Sequence, residues 1–291
     1  MRSGYVALIG RPNAGKSTLF NAFIGQRLSI VTAKPQTTRG RILGIVTDNE
    51  NQIIFLDTPG LLQPSYKLHE SMEKQIEHAA KQADLALLIL DATNPKDRLP
   101  LVQHFLAKNR TPVFALLNKI DLIPEDRVDS LLSDLCKIYK IPEIIPLSAL
   151  TNKNLDTVFT QIKAKLPEGP QLYPEDMIAE QPERFFAAEL IREAAFEHLE
   201  DELPYSINIA IEDFVERTDE KSYILGIIYV ERESQKGIVI GRKASRLQAI
   251  GKQARKSIED LVQGKVYLEL KVKVRSGWRN NESALNEFGY L

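Results

Sequence analysis

The chain is predicted to fold as an α/β phosphate-loop domain, a mostly parallel sheet with helices on both faces, followed by a smaller α+β domain. In its first half, short apolar runs alternate with charged, amphipathic segments, the pattern of strands and crossover helices. Two motifs each follow such a run: Gly10-Arg11-Pro12-Asn13-Ala14-Gly15-Lys16-Ser17 and, far downstream, Asn118-Lys119-Ile120-Asp121. A proline-rich break then leads into a region whose last strand-like run alternates apolar and basic residues.

Taken in order, Tyr5–Ile9, Ile53–Leu56, Leu85–Leu90, Val113–Leu117 and Ile144–Leu147 read as buried strands, and His69–Gln82 and Val128–Tyr139 as helices between them. Each motif falls at the carboxyl end of a strand, where sheets of this kind bind ligands. The stretch Leu166-Pro167-Glu168-Gly169-Pro170, followed by Tyr173-Pro174 and Pro182, interrupts the alternation and reads as a linker. The expected division is 1–167, a linker at 168–182, and 183–291. In the last part, a helical segment from Glu183 to Glu202 precedes two strands, Ser206–Glu216 and Tyr223–Arg232. A glycine-bounded loop, a basic helix from about Ser245 and a strand from Lys265 to Arg275 complete an α-β-β-α-β order. In that strand Val266, Leu268, Leu270, Val272 and Val274 share one face, and Lys271, Lys273 and Arg275 the other.

With 291 residues, 43% of them hydrophobic, the chain can bury two cores. A single cysteine, Cys136, excludes an internal disulfide and fits a reducing cytosol. No signal peptide is expected, because a strand-like run begins at Tyr5. The most apolar stretch, Leu85–Leu90, is far too short to cross a bilayer. The formal net charge of −1 conceals an asymmetry. From Glu233 to Arg279 there are twelve Lys and Arg against four Asp and Glu, so this end of the chain suits a polyanion.

The first motif is a phosphate cradle, and chance alone would supply it in about 1 chain of this length in 100. Gly10 and Gly15 let the loop turn its N–H groups inward, and the following helix aims its positive end at the same anion. Lys16 is expected to reach the β- and γ-phosphates and Ser17 to ligate Mg²⁺, with Arg11, Pro12, Asn13, Ala14 and Thr18 completing the loop. Asp57-Thr58-Pro59-Gly60 follows a strand and lies between the two stronger motifs. Asp57 is expected to hold Mg²⁺ through water, and the Gly60 N–H to meet the γ-phosphate, whose loss would release the segment beyond. Asp121 can accept two hydrogen bonds from a guanine edge and not from adenine, which selects GTP and GDP over ATP. Asn118 and Lys119 brace the base, and Ser148-Ala149-Leu150 closes its pocket, with the Ala149 N–H expected at the base oxygen.

These motifs together resemble the translation-factor-related P-loop GTPases, and the whole chain is similar to the Era family, which joins such a domain to a C-terminal type II KH domain that binds RNA. The similarity extends through Gln36-Thr37-Thr38-Arg39, which matches the family's first switch, and it implies that Thr38, with Thr37 as the alternative, completes the Mg²⁺ shell when GTP is bound. It also marks Asn13 as a place where related GTPases hold K⁺, although a turn-forming residue is equally expected there. Ras-like switches carry a glutamine after the glycine of the second switch. This chain has Leu61, so unaided hydrolysis is expected to be slow and catalysis is left to Lys16, Thr38 and Gly60.

The KH resemblance rests on Ile238-Val239-Ile240-Gly241-Arg242-Lys243-Ala244, on the helix whose apolar stripe is Leu247, Ile250, Ala254, Ile258 and Leu261, and on the ending Trp278-Arg279 with Leu285–Tyr290. Gly241, Arg242, Lys243, Arg246, Lys252 and Arg255 are the expected RNA contacts. One position departs: the family loop reads Gly-x-x-Gly, and Ala244 occupies its last place. By the resemblance the expected partner is the 3′ end of 16S rRNA during assembly of the 30S subunit. A cytoplasmic protein is expected from the cysteine count, and a monomer because nothing in the sequence demands a dimer. The competing reading is a regulatory GTPase whose basic end meets a protein or the inner face of the cell membrane.

Overall fold

The computed structural model describes residues 1–97, 99–217 and 221–291. It divides into two units, Met1–Ser65 with His69–Glu180, and Tyr66–Leu68 with Gln181–Leu291. The elements up to residue 165 are β1 (Arg2–Gly10), α1 (Lys16–Ile24), β2 (Ile42–Thr47), β3 (Asn51–Asp57), α2 (Lys67–Gln82), β4 (Leu85–Asp91), α3 (Leu99–Lys108), β5 (Val113–Asn118), α4 (Val128–Tyr139), β6 (Ile144–Pro146) and α5 (Leu155–Lys165).

Six strands form one sheet in the order β2-β3-β1-β4-β5-β6. Only β2 runs antiparallel, against β3. Every residue of β3 and β4 is buried, as expected where helices cover both faces of a parallel sheet. Register then gathers the motifs. Leu8 pairs with Asp57, Gly10 with Ile89 and Asp91 with Asn118, so the ends of β1, β3, β4 and β5 share one edge. One side of the sheet packs Phe23, Phe55 and Phe159, with ring centroids 4.7 Å (Phe23–Phe55) and 4.8 Å (Phe23–Phe159) apart. The strand β2 is absent from the sequence reading because Gly44 interrupts its apolar run and lowers its strand propensity.

The proline-rich segment is fastened along the first unit up to Glu180. The fully buried Gln52 accepts from Leu172 N (2.7 Å) and Tyr173 N (2.9 Å) and donates to Tyr173 O (2.8 Å). Ser3 Oγ donates to Pro170 O at 2.6 Å, and Ile45 N to Ile178 O at 2.9 Å, which covers the open edge of β2.

The second unit contains α6 (Glu183–His198), α7 (Leu203–Ser206), β7 (Asn208–Val215), β8 (Ser222–Val230), α8 (Glu233–Ile240), α9 (Ser245–Val262), β9 (Val266–Val274) and α10 (Glu282–Glu287). Its sheet runs β7-β8-β9, with β7 antiparallel and β9 parallel to β8. The order is therefore α-α-β-β-α-α-β-α: the residues expected as a long loop before Ser245 form α8 in their first eight positions. Gln235 starts that helix by accepting from Arg232 N at 3.1 Å. Leu190, Ile191, Ile228, Ile250, Ala254 and Ile258 share the core between α6, α9 and the sheet. The tail folds back onto this unit beside Ser206 and Tyr229. Trp278 is fully buried, donates from Nε1 to Ser206 O at 2.9 Å and meets the rings of Phe288 and Tyr290.

Candidate functional site

The loop between β1 and α1 is shaped by its glycine and asparagine. Gly15 sits at φ +92°, and a Cβ there would lie 2.2 Å from Asn118 Nδ2. Asn13 takes φ +60° and donates from Nδ2 to Ala33 O at 2.9 Å. Lys16 is buried and donates to Arg11 O at 3.0 Å. Burial pushes its ammonium down to about 8, against the upward pull of Asp57. Around the loop lies a cavity of about 330 Å³, lined on one side by Pro12, Asn13, Gly15, Lys16, Ser17 and Thr18. Thr32, Ala33, Thr37, Thr38, Gly60 and Lys119 also line it. The Arg11 guanidinium does not enter that lining. It pairs with Asp91 at 2.9 Å and with Asp97.

The strand β3 ends on Asp57, fully buried and surrounded by hydroxyls. Ser17 Oγ donates to Asp57 Oδ2 at 2.7 Å, Ser29 Oγ at 2.7 Å and Thr38 Oγ1 at 3.4 Å. Burial pushes the Asp57 carboxyl up, opposed by Lys16 and by these bonds. Its other oxygen, Oδ1, is buried without a hydrogen-bond partner. Hard oxygens from Ser17, Thr38 and Asp57, one of them unsatisfied, fit a magnesium ion. Thr58 and Pro59 are buried, and Thr58 Oγ1 donates to Leu8 O at 2.6 Å, so they anchor the turn to β1. Gly60 touches the phosphate loop so closely that a Cβ would lie 2.5 Å from Pro12 N. Leu61 is buried in the core that holds Ile76 and Ala80 and can orient no water.

At the base-reading end, Asn118 ties two loops together. Its Nδ2 donates to Ala14 O at 2.9 Å, and its Oδ1 accepts from Ala149 N at 2.9 Å. The Ala149 N–H expected at a base oxygen is here held by Asn118. Lys119 donates to Asp91 Oδ2 at 2.8 Å. Asp121 is exposed in the short helical turn Ile120–Leu122. Ser148 is buried and accepts from Thr151 N at 3.1 Å, while Leu150 is 76% exposed at the rim.

Two residues here escaped the sequence reading. Asp91, the last residue of β4, accepts from both Lys119 and Arg11, and also from Thr93 N and Oγ1 at 2.8 and 2.6 Å. Burial pushes its carboxyl up, yet the bonds from Lys119 and Thr93 outweigh that and hold it below the ordinary carboxylate range. An acid that ends a buried apolar run beside two motif strands was the available signal. Ser29 lies in no motif, and nothing in the sequence marks it.

In the second unit, Gly241 ends α8, and Arg242 and Lys243 stand exposed in the loop before α9. Lys243 and Ala244 both take positive φ, 50° and 60°. Arg246 is tied back, donating to Ile238 O at 2.9 Å. Along α9, Lys252, Arg255 and Lys256 are exposed, while Ile250, Ala254 and Ile258 are buried, which separates a basic face from the core stripe.

Comparison with known proteins covers both units. Residues 5–119 match the family model described as 50S ribosome-binding GTPase, and residues 191–279 match the KH domain. GTPase Era of Ruminiclostridium cellulolyticum is 42% identical over 290 residues, 99% of this chain and 97% of the relative. GTPase Era of Staphylococcus haemolyticus is 40% identical over 100% and 97%. Two solved structures, each 40% identical with a TM-score of 0.95, cover 100% of this chain and 99% of their own. One is an Aquifex aeolicus Era variant bound to GDP·AlF4⁻, and the other is Era in complex with MgGDPNP and nucleotides 1506–1542 of 16S ribosomal RNA. With relatives of this identity spanning both units, the chain belongs to the Era family of GTPases.

Proposed function

We propose that this chain is a GTP-hydrolysing switch that binds the 3′ end of 16S rRNA through its KH unit and acts in assembly of the 30S subunit. The observation that carries the nucleotide half is the register that ends β3 on Asp57 and β5 on Asn118 at the sheet edge where β1 leads into the phosphate loop, whose Lys16 and Ser17 line the cavity there. In this reading the loop N–H groups and Lys16 hold the β- and γ-phosphates, and Asp121 accepts from the guanine edge. Asn118 fixes the distance between phosphate loop and base pocket by bonding to both loops. Ser17, Thr38 and Asp57 would hold Mg²⁺, which when bound supplies charge neutralisation between the phosphates. The Gly60 N–H meets the γ-phosphate and loses it on hydrolysis, which frees the chain beyond it. Leu61 leaves no side chain there to orient the attacking water, so the unaided rate is slow.

The RNA half is carried by exposed Arg242 and Lys243 at the start of a basic helix. Charges placed on a loop between two helices track a phosphate backbone, while the 3′-end sequence of the ligand is taken from the likeness to the RNA-bound relative. The cytoplasm, where GTP and ribosomal RNA meet, is the assigned place, and a monomer the assigned state. Binding of a 3′-end 16S oligonucleotide, measured across a salt series, tests this. The affinity should fall with salt, and Arg242→Ala with Lys243→Ala should weaken it and reduce the log–log slope by about 1.4. A salt-independent affinity, or a double variant that binds as before, contradicts the clamp. Co-purification with a membrane fraction in place of 30S particles favours the membrane-associated alternative.

A further inference from the structure

Ser29 lies between α1 and β2, outside every motif, and is 1% exposed. Its hydroxyl donates to Asp57 Oδ2 at 2.7 Å. Asn21 of α1 fixes it in place. Asn21 Oδ1 accepts from Leu28 N at 3.0 Å and Ser29 N at 2.9 Å, and Nδ2 donates to Ser29 O at 2.7 Å. Both the position and the peptide plane of Ser29 are therefore set by the Asn21 side chain.

Three hydroxyls converge on Oδ2, while Oδ1 of the same buried carboxylate has no hydrogen-bond partner. Ser17 and Thr38 have a second task, because as oxygen ligands they turn their lone pairs to a metal. Ser29 has no such task. We propose that Ser29 is a positioning residue of the magnesium site, which holds Asp57 through Oδ2 and leaves Oδ1 as the oxygen offered to the metal or its water. A hydroxyl that bonds an ionised carboxylate in a buried site fixes its rotamer, and loss of a partner of this kind typically costs about 10–100-fold in metal affinity. The proposal rests on the nucleotide-site reading above.

The test is the affinity of the full chain for a fluorescent GDP, measured in EDTA and across a Mg²⁺ titration. Ser29→Ala should move the Mg²⁺ midpoint up by about tenfold and leave the EDTA affinity within about twofold of wild type. Ser29→Thr, which keeps the hydroxyl, should return the midpoint towards wild type. Should Ser29→Ala not fold, Asn21→Ala should shift the same midpoint upward by a smaller factor. An unmoved midpoint in the folded variant overturns the proposal, as does an equal loss of affinity with and without Mg²⁺, which a merely structural serine would give. Wild-type protein that takes no guanine nucleotide under either condition overturns the nucleotide reading itself, and this inference with it.

Discussion

Lys16 stands in the free protein as a cation that its surroundings do not favour. Burial lowers its ammonium to about 8 from an ordinary 10.5, and only Asp57 pulls the other way. The sign follows directly. Between about pH 8 and 10.5 the unfolded chain holds a proton here that the folded one has released, so this group adds stability to the unliganded protein as pH rises through that window. Below pH 8 it is charged in both states, and the cost of burying the charge is felt in full. A phosphate bound against it reverses the preference. Binding of GDP at about pH 9 should therefore take up most of one proton, whereas binding at about pH 7 should take up almost none at this site. Calorimetry in two buffers of different ionisation enthalpy measures that difference, and equal uptake at both values would show that Lys16 keeps its charge when unliganded. Residues such as Lys16 and Gly15 were legible in the sequence because a phosphate demands them at fixed spacing. Ser29 and Asp91 were not, because each meets its partner through the fold: Ser29 is 28 positions from Asp57, and Asp91 is 28 from Lys119 and 80 from Arg11.

Among the elements, the turn from α8 into α9 shows what a small change of sequence does to a recognised motif. Ala244 stands where the family loop has glycine, and it takes the left-handed conformation that glycine adopts at least cost, φ +60° and ψ +19°. A residue with a Cβ in this region costs about 1–2 kcal/mol, while glycine costs about 0.5–1 kcal/mol more to order than alanine. Ala244→Gly should therefore stabilise the KH unit by about 0.5–1 kcal/mol. The single tryptophan, Trp278, lies buried in that unit, so a urea midpoint followed by its fluorescence reads this unit. A lowered midpoint would mean that other contacts of the alanine methyl outweigh the strain. The same turn explains why α8 went unread: Gly237 and the β-branched Ile238, Val239 and Ile240 look like loop and strand, and tertiary packing of Val239 overrides both. By contrast, α4 and the alternating β9 were plain, because a long periodic pattern survives without knowledge of its neighbours.

At the scale of the whole chain, the question that composition leaves open is where the first unit ends. A stretch with four prolines from 167 to 182 carries no periodicity and reads as linker. Its bonds to Gln52 reach back 120 and 121 positions and cannot be seen in the sequence. Removing 168–180 would forfeit the three hydrogen bonds to Gln52, the bond from Ser3 to Pro170, and the packing of Tyr173 and Met177 against the core. At about 1 kcal/mol for each bond in a partly buried site, with some apolar burial added, the loss comes to about 3–5 kcal/mol. A chain ending at Glu180 should thus unfold at clearly higher denaturant than one ending at Pro167. Affinity for GDP should nevertheless agree within about threefold, because Gln52 lies near the start of β3 and Asp57 ends it, about 17 Å further along the strand. Equal midpoints for the two chains would show that the segment is a passive tether, and a large loss of GDP affinity in the shorter one would show that the strap supports the site from the far end of the sheet.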